Sequence, residues 1–297
     1  MLHSHAYKPP FWLMGGHLQT IIPAVYMPCP PIAYQRDTWQ TPDGDCIAVD
    51  SLPEPSNPNS PILILWHGLE GSSQSSYARR LMHSAQQQGW HGMVPHFRSC
   101  GEMRNQLTRL YHAGDSQEVD WVIKRIHALH PKRPVITVGV SLGGNALLKW
   151  LGQHPQDAAR IVHAAVSISA PLDLCQAGPH LDQGLNRSLY TRFFLRTLKA
   201  KISDKMQQFD YPFTPQQLRA CQTFTEFDNL VTAPLHGFND VWDYWQQSSS
   251  LPYLSHITVP TLVLNARNDP FLPPAALPST AHIAPCVQAV FPTQGGH

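Results

Sequence analysis

The pentapeptide Gly139-Val140-Ser141-Leu142-Gly143 sets a serine between two glycines. It directly follows the β-branched run Val135-Ile136-Thr137-Val138 and precedes a stretch of helical spacing through Leu151. A serine at a sharp strand-to-helix turn has its hydroxyl lifted clear of a sheet, and the glycines let strand and helix close around it. The N-terminus of the following helix favours developing negative charge. The chemistry this predicts is nucleophilic attack by Ser141 on a carbonyl carbon. The five residues alone could form an ordinary tight turn; their place between strand and helix is what points to a nucleophile.

A serine hydroxyl needs a base within hydrogen-bond reach, and the base needs a carboxylate to orient it. In sites of this kind the acid and then the base follow the serine, each on a loop after a strand. Asn265-Ala266-Arg267-Asn268-Asp269-Pro270 follows the apolar run Thr261-Leu262-Val263-Leu264, which makes Asp269 the expected acid. The other reading of Asp269 is an Asx turn before Pro270. Asp240 and Asp243 are poorer choices. Thr293-Gln294-Gly295-Gly296-His297 follows the run Val287-Gln288-Ala289-Val290-Phe291, so His297 is the expected base, with His282 as the fallback. A tetrahedral intermediate also needs two backbone N–H donors. Leu142, next after the serine, is expected to supply one, and Leu69 in the loop Trp66-His67-Gly68-Leu69-Glu70-Gly71 the other.

The elements that must hold these residues alternate. Cys46 to Asp50, the only strand expected in residues 1–60, is followed by a Pro- and Asn-rich loop and then by Pro61-Ile62-Leu63-Ile64-Leu65-Trp66. Such a continuous apolar run suits a strand covered on both faces. Tyr77 to Gln88 has helical character and Trp90 to Phe97 reads as a weaker strand. Val119, Val122, Ile123 and Ile126 give one apolar face to a helix over Asp115 to Leu129, with Asp115 and Glu118 spaced as a capping box. Ile161 to Ile168 is another strand. Residues 172–258 are aromatic-rich, hold no convincing buried strand, and are expected to be helical. Strands alternating with helices predict an α/β fold on a mostly parallel sheet.

With 297 residues and 42% hydrophobic content the chain can bury a large core. Its formal net charge of +1 gives no reason to expect a nucleic-acid partner or a polybasic membrane surface. The six cysteines have no C-x-x-C spacing, which argues against zinc and for free thiols in a reducing cytoplasm. Residues 1–27 lack the basic head and clean apolar stretch of a signal peptide, and no integral membrane segment is expected.

Taken jointly, these segments resemble the YheT-like branch of the α/β hydrolases, a carboxylesterase family, over nearly the whole chain. Gly15-Gly16-His17-Leu18-Gln19-Thr20 is similar to its N-terminal signature and His67-Gly68-Leu69-Glu70-Gly71-Ser72 to its oxyanion loop. His96-Phe97-Arg98-Ser99-Cys100, Tyr111-His112-Ala113-Gly114-Asp115 and Val140-Ser141-Leu142-Gly143-Gly144-Asn145 are similar to its central motifs and elbow. The resemblance implies an α/β-hydrolase fold in a single domain, 1–297. Helices would cover both faces of the sheet, with 172–258 inserted as a cap. It implies cytoplasmic hydrolysis of small-molecule or lipid carboxylic esters through an acyl-enzyme on Ser141, His297 and Asp269, with no metal or organic cofactor. Acyl transfer to an acceptor other than water, on the same triad, is the alternative. His17 is expected to hold the N-terminal segment against the domain, and Arg98 to clamp to Glu102 or Asp115. In the family a further helix follows Gly-Gly-His, and none follows His297 here. The expectation is therefore a fragment of a longer protein, or a weak or non-catalytic relative whose terminal histidine lacks a hold.

Overall fold

Short apolar runs, buried along their length, form the middle of a sheet in the computed structural model, which describes residues 7–297. Eight strands pair in the order β1-β2-β4-β3-β5-β6-β7-β8 among the described residues. They are β1 (Gln35–Gln40), β2 (Cys46–Ser51), β3 (Ile62–Trp66), β4 (His91–Pro95), β5 (Val135–Val140), β6 (Val162–Ile168), β7 (Thr261–Leu264) and β8 (Val287–Val290). β1, β2 and β4 pair antiparallel in succession, and every pairing from β4 across to β8 is parallel. The chain runs outward from β3 in both directions, to β4 on one side and β5 on the other. At such a switch point the loops leaving the carboxyl ends of the strands part and leave a crevice. The loops after β3 and β5 carry Leu69 and Ser141.

Two elements of the first 60 residues were not expected. β1 is exposed at all but one position, because an edge strand needs an apolar residue only at Trp39, where it meets the core. Helix α1 (Gly15–Val25) begins with two glycines and contains Pro23, so propensity argues against it. Its reason is tertiary and lies at the site described below.

Helix α2 (Ser76–Gln87) packs Ala78, Met82 and Ala85 on one face of the sheet. On the other face lie α3 (Ser116–Leu129), which buries Val119, Val122, Ile123 and Ile126, and α4 (Leu142–Gln153), in which Leu142 to Gly152 are all buried. The capping box expected for α3 does not form. Asp115 gives its carboxylate to Arg109 at 2.6 Å, and Glu118 accepts from Arg98 Nε at 2.6 Å. Arg98 also holds Asp43 and Asp45 at 2.8 and 2.9 Å, so its clamp is to three carboxylates of other elements, not to Glu102 or Asp115. Asp45 sits fully buried before β2 and accepts from Cys46 N–H as well.

Between β6 and β7, residues 172–258 contain helices and no strand. Two π turns, Arg187–Thr191 and Asp228–Thr232, interrupt the helices there. Asn145 of α4 ties this insertion down: its amide donates to Ala113 O and Ser248 O at 2.9 and 2.8 Å, and its oxygen accepts from Ser250 N–H at 2.9 Å. No described helix is long and apolar enough to cross a membrane, and all six cysteines are unpaired.

Candidate active site

Ser141 stands between β5 and α4 with φ 53° and ψ −123°, a left-handed backbone that a side chain adopts only under constraint. Its N–H donates to Ile168 O at 2.8 Å, which fixes the turn to the neighbouring strand. A Cβ on Gly143 would lie 2.4 Å from Trp66 O, and one on Gly139 would lie 2.6 Å from Gly143 O. Backbone against backbone cannot give way, so the spacing of glycines around Ser141 is a packing requirement.

The structure brings the three expected side chains into one chain of hydrogen bonds. His297 Nε2 is 2.9 Å from Ser141 Oγ, and His297 Nδ1 is 2.8 Å from Asp269 Oδ2. A carboxylate can only accept, so with Asp269 ionised Nδ1 carries a proton and donates it; in the neutral ring Nε2 is then left to accept from the serine hydroxyl. Asp269 is buried, and its other oxygen accepts from Phe271 N–H at 2.8 Å. That second bond is the Asx turn of the alternative reading, so one carboxylate does both jobs. Phe271 also stacks on His297, with ring centroids 3.8 Å apart and planes 13° from parallel. His282 instead bonds Ser279 in an exposed turn, and Asp240 caps the helix Val241–Ser248; neither reaches Ser141.

What steadies His297 is α1. Gln19 Oε1 accepts from Gly295 N–H at 2.8 Å and from the Asn268 amide at 3.0 Å, while Gln19 Nε2 donates to Gln294 Oε1 at 2.9 Å. Thr20 Oγ1 accepts from His297 N–H at 2.9 Å, and Gly296 N–H donates to Asn268 Oδ1 at 3.1 Å. The approach is close: a Cβ on Gly16 would lie 1.9 Å from Asn268 O. One buried glutamine therefore bridges the acid loop and the histidine loop. His297 therefore has a hold, contrary to expectation, and its bonds come from residues at the other end of the sequence. His17 behaves as expected, with Nδ1 2.9 Å from Tyr190 Oη.

A family model described as "alpha/beta hydrolase fold" matches residues 61–297. A protein of Escherichia coli (strain K12) named "Putative esterase YheT" is 35% identical over 284 residues, covering 95% of this chain and 83% of that protein. The chain is a YheT-like α/β hydrolase. Human "Phospholipase ABHD3" is 27% identical over 304 residues, covering 99% of this chain and 73% of that one. Among solved structures, the esterase Pf2001 of Pyrococcus furiosus superposes with a TM-score of 0.57 at 15% identity, covering 90% of this chain and 84% of that one. That likeness speaks to the fold.

The YheT-like loop after β3 is built so that one amide is spared. Gly68 N–H donates to Tyr77 Oη and Glu70 N–H to Tyr111 Oη, both at 2.8 Å. Leu69 N–H, between them, has no hydrogen-bond partner among the described residues, and neither has Leu142 N–H in the first turn of α4. Beneath the loop, His67 Nδ1 lies 2.8 Å from Gly68 O while Nε2 accepts from Phe97 N–H at 3.1 Å. Only the neutral ring satisfies both contacts, and burial pushes its pKa down to about 3. Glu70 holds a left-handed φ of 57°, and its carboxylate takes Tyr111 Oη at 2.8 Å and Lys201 Nζ at 2.6 Å. Lys201 belongs to the helix Arg192–Lys205 of the insertion, so the insertion is ion-paired to this loop. Spacing alone carries no signal for the Glu70–Lys201 and Gln19–Gly295 contacts.

Ser141, His297, Leu69 and Leu142 open on a cavity of about 1010 Å³, its open mouth included. The insertion supplies much of its wall, including Phe194, Leu198, Phe224 and Phe227. Two histidines of the wall are held neutral, and one carboxyl is made a weaker acid than usual. Burial pushes His112 and His236 down to about 3, and it pushes Asp228 up to about 6 against hydrogen bonds from Thr232 and Trp245. Cys100, close by under Lys201, is pushed up to about 12 by burial and stays a thiol.

Proposed function

We propose that this protein is a serine hydrolase of carboxylic esters with short or medium acyl chains or lipid-like character. The observation that carries the reading is the Ser141–His297–Asp269 hydrogen-bond chain on the wall of an apolar cavity. His297 removes the proton as Ser141 Oγ attacks the ester carbonyl, and Asp269 keeps the ring turned and steadies the imidazolium. The spared N–H groups of Leu69 and Leu142 receive the oxyanion, each such donor being worth about 10²–10³ in rate. His297 then returns its proton to the departing alcohol. Water, deprotonated by the same ring, cleaves the acyl-enzyme and frees the acid. The acyl chain lies against Phe194, Leu198 and their neighbours, and this apolar part of the wall suits an uncharged tail. In this reading residues 172–258 act as the cap over a single domain.

The names of the relatives, an esterase and a phospholipase, support ester chemistry. The test is labelling of the full-length protein with a fluorophosphonate, followed by peptide mapping. Modification on Ser141, absent in Ser141→Ala, is expected. A folded protein that stays unlabelled would sink the proposal.

A further inference from the structure

The stretch from residue 184 to 205 is helical throughout and has two opposite faces. Phe194 and Leu198 point into the cavity beside Ser141. On the solvent side Leu185, Leu189 and Phe193 recur every four residues and are 66, 44 and 57% exposed. Arg187, Arg192 and Arg196 flank them, also exposed, and residues 183–203 hold no aspartate or glutamate. Large apolar side chains spaced along one exposed helical face, interleaved with arginine, are the composition of a helix that lies in a lipid headgroup layer.

A second segment is fixed beside this helix. His17 of α1 bonds and stacks on Tyr190, and Ile21 packs in the same cluster as Tyr190 and Phe194. The chain before and within α1 exposes Phe11, Trp12, Met14 and Leu18, with Phe11 92% exposed, and residues 7–36 also lack any acidic side chain. Tyr190 meets Phe271 at a tilt with ring centroids 4.6 Å apart, and Phe271 stacks on His297 at 3.8 Å, so the helix lies two rings from the candidate base. The whole-chain charge of +1 hides this asymmetry by averaging it with acidic groups elsewhere.

We infer that the outer face of the 184–205 helix, with Phe11, Trp12 and Met14, docks this protein on an anionic lipid surface. Charge selects the occupant. A second copy of the same face would bring Arg192 and Arg196 toward their own equivalents with no carboxylate between them, whereas an anionic headgroup layer neutralises each of them. Trp12 and Tyr7 suit the headgroup boundary, where aromatic rings with a polar edge concentrate. Docking does not depend on the chemistry at Ser141.

The test is flotation of full-length Ser141→Ala protein, which leaves the lipid intact, with phosphatidylcholine vesicles with and without about 30 mol % phosphatidylserine. About tenfold more protein should float with the anionic vesicles, and about 0.5 M salt should remove most of the difference by screening. Leu189→Ser with Phe193→Ser should lower flotation about tenfold, and Arg192→Gln with Arg196→Gln should abolish the preference for anionic lipid, both at an unchanged melting temperature. Protein that does not float with either vesicle, or variants that float like the parent, would overturn the inference. So would sedimentation showing a dimer that the Leu189/Phe193 variant dissolves, since the face would then belong to a second copy.

Discussion

The loops carrying Ser141 and His297 meet at 2.9 Å yet are built on opposite plans. The serine turn is local. Gly139, Gly143 and the ends of β5 and α4 determine it within a few residues, and Trp66 O closes it from the adjoining strand. The histidine loop leans on Asn268 of the neighbouring acid loop and on a helix far away in sequence. Its geometry depends on Gln19 and Thr20, 276 and 277 positions away from the amides they accept from. A locally built turn resists substitution by losing the fold; a remotely held loop can be loosened while the fold survives. The two should therefore fail differently.

The largest effect tests whether both loops serve one unit. Ser141→Ala and His297→Ala should each lower kcat/KM for an ester by about 10⁴–10⁶, and the double variant should be no worse than either. Additive losses would separate the two residues. A middle-sized effect contrasts the plans directly. Gly143→Ala forces a Cβ against the Trp66 and His67 carbonyls and should cost about 2–4 kcal/mol in urea unfolding. Gln19→Ala leaves the groups that this buried side chain bridges unpaired and should cost about 1–3 kcal/mol without preventing folding, while lowering kcat by about 10–100-fold, because a displacement near 1 Å suffices. The contrast breaks if Gln19→Ala unfolds the protein or leaves kcat intact.

The smallest effect is a slope with pH. Burial holds the His67 pKa near 3 and pushes His96 down to about 4, while both rings are free to protonate once the chain unfolds. A histidine with a depressed folded pKa costs stability progressively as pH falls through the range in which only the unfolded chain binds the proton. Stability should thus begin to fall as pH drops below the ordinary histidine value near 6.5, and go on falling toward about 4. Below that, Asp43 adds to the loss. Burial would raise its pKa, but hydrogen bonds from Arg98 and Thr41 bring it down to about 2, so its contribution disappears as pH falls through that value. Urea midpoints between pH 7 and 3 measure the slope; a flat profile above pH 5 would contradict the assignment of His67 and His96 as buried neutral rings.

The same division explains what the sequence discloses. The inner strands are legible because β3 is an unbroken apolar run and β5 opens on a β-branched one, and Ser141 because its glycines sit at fixed spacing. Asp269 and His297 follow from chain order. β1 is illegible because an edge strand that is solvent-exposed shows no apolar alternation. α1 is illegible because Gly15, Gly16 and Pro23 oppose helix on propensity, while the reason for Gly16 is a carbonyl in the Asn268 loop. Arg98 shows the limit from another side: its motif is recognisable, yet its partners come from two distant places, Asp43 and Asp45 in the turn before β2 and Glu118 in α3.

The bonds from Gln19 to Gly295 and from Thr20 to His297 also set a clock. They join residues 276 and 277 positions apart, and contacts of such separation form late because the intervening chain must be ordered first. During synthesis the sheet and the serine turn can consolidate as the chain emerges, but the histidine has no place until α1 is already waiting for it. On the proposed function, a newly made molecule should therefore stay inactive until this last docking step brings His297 to Ser141.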